Sequence, residues 1–141
     1  MNIDYLIKGP VSHEVVTSLI DMMSKRSDAG GHTFFLGQVR ADVIEGKIVK
    51  AIEYSAYEGM VQAEADKIKK SVMEEYDDVI AIEIIHSTGI VMAGEISLLV
   101  SVSAGHRKQA IQACSKTVEL IKESLPVWKK EIYDDDSHTW K

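Results

Sequence analysis

The sequence has one cysteine, two prolines, two phenylalanines and two tryptophans in 141 residues. With Cys114 alone, no intrachain disulfide can form and no cysteine metal cluster can be built. The two prolines and the absence of biased tracts exclude a low-complexity chain. Basic residues are outnumbered, 16 Lys and Arg against 22 Asp and Glu, and the formal net charge is -6. An acidic balance argues against nucleic acid as the main partner, because phosphate backbones are held by a basic surface. No apolar run approaches the ~20 residues that span a bilayer. The segment Met1-Asn2-Ile3-Asp4-Tyr5 has no basic stretch leading into an apolar one. No signal peptide, no membrane contact and a cytoplasmic location are therefore expected.

What is present is an ordinary globular composition, 45% hydrophobic and 27% charged, at a length suited to one domain over residues 1–141. Alternation around Ile3, Tyr5 and Ile7 predicts a first strand ending at Gly9-Pro10. Ser12 is a helix N-cap, followed by an apolar stripe through Val15, Leu19, Met22 and Met23. Thr33–Arg40 predicts a strand, with Gly37 marking a bulge or a close approach to the backbone. Glu45-Gly46-Lys47 predicts a turn into a strand over Ile48–Tyr57, antiparallel to the one before. Val61, Ala65, Ile68, Val72 and Tyr76 give a second helix from about Glu58. Val79–His86 predicts a buried strand, Ser87-Thr88-Gly89 a turn, and Glu95–Ser103 a strand with one strongly apolar face. Ile111, Cys114, Val118, Ile121 and Leu125 mark a third helix, ended by Pro126. Val127–Tyr133 closes the series before an acidic turn, Asp134-Asp135-Asp136. Short connections between adjacent strands imply an α+β class, a mainly antiparallel sheet with three helices.

The chemistry concentrates late in the chain. Cys114 lies on the apolar stripe of its helix and reads as a small buried hydrophobe, so any sulfur handled here comes from elsewhere. The five histidines share no ligand spacing, and no metal site is expected. Gly105-His106-Arg107 joins an apolar strand to a helix start. Backbone N–H groups and the helix dipole favour anions at such a place, and a histidine and an arginine add to that. Lys122 borders the buried stripe of the same helix, where partial desolvation lowers an amine's proton affinity. In the last strand, alternation places Val127, Lys129 and Glu131 on one face and Trp128, Lys130 and Ile132 on the other. Arg40, at the end of the glycine-containing strand, supplies a further cation. A metabolite-sensing domain would also use an anion pocket at a helix start, but would account for neither the lysine pair nor the strand that carries Lys129.

In four ordered blocks the sequence resembles the molybdopterin synthase large-subunit family. They are Phe35-Leu36-Gly37-Gln38-Val39-Arg40; Glu53-Tyr54-Ser55-Ala56-Tyr57-Glu58-Gly59-Met60; Gly94-Glu95 with the strand into Gly105-His106-Arg107; and Lys122 through Pro126-Val127-Trp128-Lys129-Lys130-Glu131. Where many members continue His-Arg at the end of the strand over Val79–His86, this chain has His86-Ser87. The resemblance implies an α/β-hammerhead-like fold and a homodimer within a heterotetramer. Each end of that assembly would carry a small ubiquitin-like sulfur-carrier subunit with a Gly-Gly thiocarboxylate tail. It implies sulfur transfer from that tail to cyclic pyranopterin monophosphate, a pterin phosphate, giving the molybdopterin dithiolene without a redox cofactor or metal. The implied substrate pocket comprises Gln38, Val39, Arg40, His106, Arg107, Lys122, Lys129, Lys130 and Glu131, with Lys122 and Lys129 as the catalytic pair.

Overall fold

The first helix, α1 (His13–Met23), starts where Ser12 stays extended and its hydroxyl accepts the Val15 N–H at 3.3 Å. Its apolar stripe buries Leu19 and Met23 against one face of a sheet. In the computed structural model, which describes residues 4–141, the remaining elements are β1 (Leu6–Lys8), β2 (Gly31–Gln38), β3 (Val43–Ile44), β4 (Lys47–Ala56), α2 (Glu58–Glu75), β5 (Val79–Met92), β6 (Ile96–Ala104), α3 (Arg107–Ser124), β7 (Val127–Tyr133) and β8 (His138–Trp140). Ile3, assigned to the first strand on its pattern, lies outside the described residues. The sheet runs β2-β6-β5-β4-β7-β8, with β1 added to β5 and β3 to β4. All pairings are antiparallel except β1 with β5. The α+β class with three helices holds.

Strand β6 is buried along both faces, which its alternation did not anticipate. Leu98, Val100 and Val102 face α2 and α3 together with Ile82 and Ile84, while Leu99 meets α1 with Ile85. The intervening Ser97, Ser101 and Ser103 are buried as well. Cys114 is buried in the α3 layer, and loss of hydration pushes its thiol up to about 11. It is therefore held as the unreactive thiol. Among the described residues, no helix is long and apolar enough to cross a membrane, and no cluster of His, Cys, Asp or Glu could hold a metal ion.

Three expectations need correction. Strand β4 does not pair with the preceding long strand: β2 pairs with β6, and β4 lies between β5 and β7. The turn at Glu45-Gly46, both with positive φ (53° and 78°), instead joins β4 to the two-residue β3. Positive φ at both central residues suits the twist of a two-residue hairpin. Ser87-Thr88-Gly89 does not turn the chain but runs inside β5. Gly89, at φ +77°, bends the strand. The first half of β5 then pairs with β6 and the second half with β4. β1 runs beside the bend, with Ile7 opposite Ser87 and Lys8 opposite Thr88. Finally, the acidic turn is followed by a further strand, β8, which pairs with β7. Asp135 and Asp136 of that turn form ion pairs with Lys47 and Lys50.

Candidate active site

The end of β2 carries a register shift between Gly37 and Gln38. A Cβ at Gly37 would stand 3.2 Å from the Phe35 ring and 3.3 Å from Leu98 Cβ, so the close packing there needs glycine. Past the bulge the chain leaves β6. Val39 donates to Glu95 O at 2.9 Å and accepts from Gly94 N at 2.8 Å, which fixes the direction of Gln38, Val39 and Arg40. Opposite them, α3 ends at Ser124 and Leu125-Pro126 leads straight into β7. This brings Lys122, in the last helical turn, beside Lys129.

Between these segments lies an open cleft of about 250 Å³. Gln38, Val39 and Arg40 form one wall, and Lys122, Lys129 and Glu131 the other. Tyr54 and Ser97 form part of the floor, joined by a hydrogen bond of 3.0 Å from the tyrosine hydroxyl to the serine. Beneath Tyr54 is His86, its ring edge-on at 5.0 Å between centroids. His86 is 5% exposed, and its Nδ1 donates to the Ser87 carbonyl at 2.8 Å.

The electrostatics follow from two crowded amines. The proton affinity of Lys122 is lowered first by desolvation and then by the nearby charge of Lys129. Lys122 is exposed by overall area, yet the ammonium's immediate surroundings on the cleft wall govern its charge. Burial, reinforced by the charges of Lys122 and Lys129 and partly opposed by the Ser87 hydrogen bond, lowers the His86 imidazole to about 4. The cleft therefore sets Lys122, an amine of lowered proton affinity, above a neutral histidine.

The pattern-based site residues divide into three groups. Gln38, Val39, Arg40, Lys122, Lys129 and Glu131 meet at the cleft. Lys130 does not: it points to the other face of β7, where it pairs with Glu53 at 2.8 Å and lies over the Trp140 ring. His106 and Arg107 are at the opposite end of α3 from Lys122. Fifteen residues of helix at about 1.5 Å each separate Arg107 from Lys122 by about 22 Å. The anion position at that helix start is also partly filled, because the Asp78 carboxylate accepts the His106 N–H at 2.7 Å. Tyr54, Ser97, His86 and Asp42, which also lines the cleft and pairs with Arg40, were missed from the pattern. Tyr54 at least stood inside the block Glu53–Met60, but an alternating strand does not reveal which aromatic lines a floor.

The fold and cleft define a class: an α+β protein in which one pocket gathers two lysines and an arginine, the arginine ion-paired with Asp42 at 2.5 Å, beside Glu131. The family model "MoaE protein" matches residues 8–124. The chain belongs to this family. It is 36% identical over 135 residues to the molybdopterin synthase catalytic subunit of Dictyostelium discoideum, covering 91% of this chain and 85% of that one. It is 35% identical over 130 residues to that of Pyrococcus abyssi, covering 92% and 85%. Among solved structures, molybdopterin synthase from Staphylococcus aureus superposes with a TM-score of 0.86 at 29% identity, covering 100% of this chain and 98% of that one. A complex of subunits 1 and 2 of molybdopterin-converting factor from Helicobacter pylori shares the fold, with a TM-score of 0.79 at 19% identity over 96% and 87% of the two chains.

Proposed function

We propose that this chain is a sulfurtransferase, the catalytic subunit of a molybdopterin synthase, and that the cleft between Arg40 and the Lys122–Lys129 pair is where sulfur is transferred. The observation that carries this reading is the amine pair itself, Lys122 and Lys129 together on the lining of a cleft that Arg40 also borders, with the proton affinity of Lys122 lowered by desolvation and by the charge of Lys129. The donor is the C-terminal thiocarboxylate of a small ubiquitin-like subunit, and the acceptor is cyclic pyranopterin monophosphate. Both are anions, and bringing them together costs Coulomb energy. Fixed cations offset that cost and stabilise charge that develops during attack. Lys122, whose proton affinity is lowered, gives up and takes back the proton that moves in each transfer. Each transfer forms a carbon–sulfur bond on the pterin as a carbon–oxygen bond there breaks, and water then cleaves the sulfur from the carboxyl carbon of the small subunit, which leaves as a carboxylate.

One chain does not complete the implied pocket, since His106 and Arg107 lie about 22 Å from Lys122 along α3. In a homodimer a second copy supplies them, so that each site draws its lysines from one protomer and its His-Arg pair from the other. Phosphate binding then rests on side chains, because Asp78 takes the first backbone N–H of that helix start.

Incubation with a thiocarboxylated small subunit and the pterin phosphate should yield dithiolene product. Deleting the terminal Gly-Gly should abolish product while the two proteins still co-purify, because the tail reaches the cleft and the folded body makes the docking contact. Full activity with the truncated subunit would refute the reading.

A further inference from the structure

We propose that Asp78 is a positioning residue for His106, holding the imidazole so that its Nε2 faces the substrate phosphate. The inference rests on the reading of His106 as an anion-binding residue of the composite site. Asp78 lies in the turn between α2 and β5. Its backbone carbonyl accepts the Gly105 N–H at 3.0 Å. Its carboxylate accepts the His106 backbone N–H at 2.7 Å and meets His106 Nδ1 at 3.1 Å. Asp78 is itself clamped. Its own N–H donates to Gln109 Oε1 at 2.9 Å, and Gln109 Nε2 donates to Asp77 Oδ1 at 3.1 Å.

The chain around this contact leaves no room for a side chain. A Cβ on Gly105 would stand 2.5 Å from Asp78 Oδ1, and one on Gly30 would stand 2.2 Å from the Gly105 carbonyl oxygen. The glycines let the loop close until the aspartate reaches the histidine. The His106 side chain is 88% exposed, so packing does not orient it, and the carboxylate does.

An ionised carboxylate accepts only, so Nδ1 must carry the hydrogen. That choice sets the other nitrogen. In the neutral ring Nε2 keeps its lone pair and faces outward; in the protonated ring Nε2–H is an outward donor whose charge Asp78 balances. A carboxylate that fixes an imidazole's tautomer and direction is a recurrent arrangement at working histidines. Capping of α3 explains the bond to the His106 N–H but not the bond to the ring.

The test separates these roles with Asp78→Asn, which keeps an acceptor for the backbone N–H but loses the charge that selects Nδ1–H. Asp78→Ser, which keeps a capping hydroxyl too short to reach the ring, serves if the asparagine variant folds poorly. Side-chain ¹⁵N NMR of the neutral imidazole, with His106 assigned by His106→Ala, should show the Nδ1–H tautomer in the parent protein. In the Asp78 variants the balance should move toward Nε2–H, the form preferred by free histidine. In the sulfur-transfer assay the KM for the pterin phosphate should rise about tenfold, as for loss of one charge-assisted contact, with kcat little changed. Adding Asp78→Asn to His106→Ala should change nothing further. If His106→Ala impairs turnover while the Asp78 variants keep the parent tautomer and KM, the positioning role is overturned and the composite site stands. If His106→Ala leaves the KM unchanged, both fall.

Discussion

Replacing Lys122 with alanine is expected to reduce product formation by about a thousandfold or more, equivalent to about 4 kcal/mol of transition-state stabilisation. The variant should remain folded with an unchanged melting profile. Lys122 is exposed by area and borders the core formed by Ile121 and Cys114 without joining it. Its removal takes away both a cation of the cleft and the amine whose proton affinity the cleft lowers, which is why the loss should exceed that of a single binding contact. On the proposed role of Lys122 in proton transfer, Lys122→Arg should not rescue turnover, because a guanidinium stays protonated. Single-turnover assays with the thiocarboxylated small subunit measure this, and near-normal turnover by Lys122→Ala would remove the residue from the mechanism.

Acid should destabilise the fold through His86. This histidine is 5% exposed and its folded-state value lies at about 4, below the ordinary 6.5. Between these two values the unfolded chain binds a proton that the folded chain refuses. The stabilisation is therefore intact above pH 6.5 and lost as pH falls toward 4, by about 3 kcal/mol at 1.36 kcal/mol per unit. Carboxylates titrate in the same region, so the measurement is a difference. Urea unfolding of the parent and of His86→Gln should be compared at pH 7 and pH 4. The parent should lose about 3 kcal/mol more than the variant over that range. Equal losses would mean that His86 is protonated without strain in the folded protein.

Much of the site was legible because strand alternation is strict. It assigned Lys129 and Glu131 to one face of β7 and Lys130 to the other, and the cleft contains the first two and not the third. The stripe on α3 likewise placed Cys114 inside and Lys122 at the border. Gly37 signalled the bulge that aims Gln38–Arg40. What could not be read depends on distance through space. The spacing from His106 to Lys122 looks short in sequence, but an unbroken helix converts it into about 22 Å. Strand β5 was cut short because Ser87-Thr88-Gly89 has turn composition, while parallel pairing with β1 keeps it extended. Ser87 is fully buried, and its hydroxyl has no hydrogen-bond partner among the described residues. Nor did the serines of β6 announce that both of its faces are covered. Short polar side chains alternate with apolar ones in half-exposed strands too, and only the helices packed on each side decide which applies.

Following the sulfur atom tests the central claim most directly. The small subunit is thiocarboxylated with ³⁴S and mixed with the pterin phosphate and a chain carrying Cys114→Ala. The cysteine is buried with its thiol raised to about 11, so its loss should cost on the order of 1 kcal/mol of stability and no activity. Mass spectrometry of the product should show both dithiolene sulfurs carrying the label. Unlabelled sulfur in product made by the parent chain, or loss of transfer by the cysteine variant while it remains folded, would show that this chain supplies sulfur instead of receiving it.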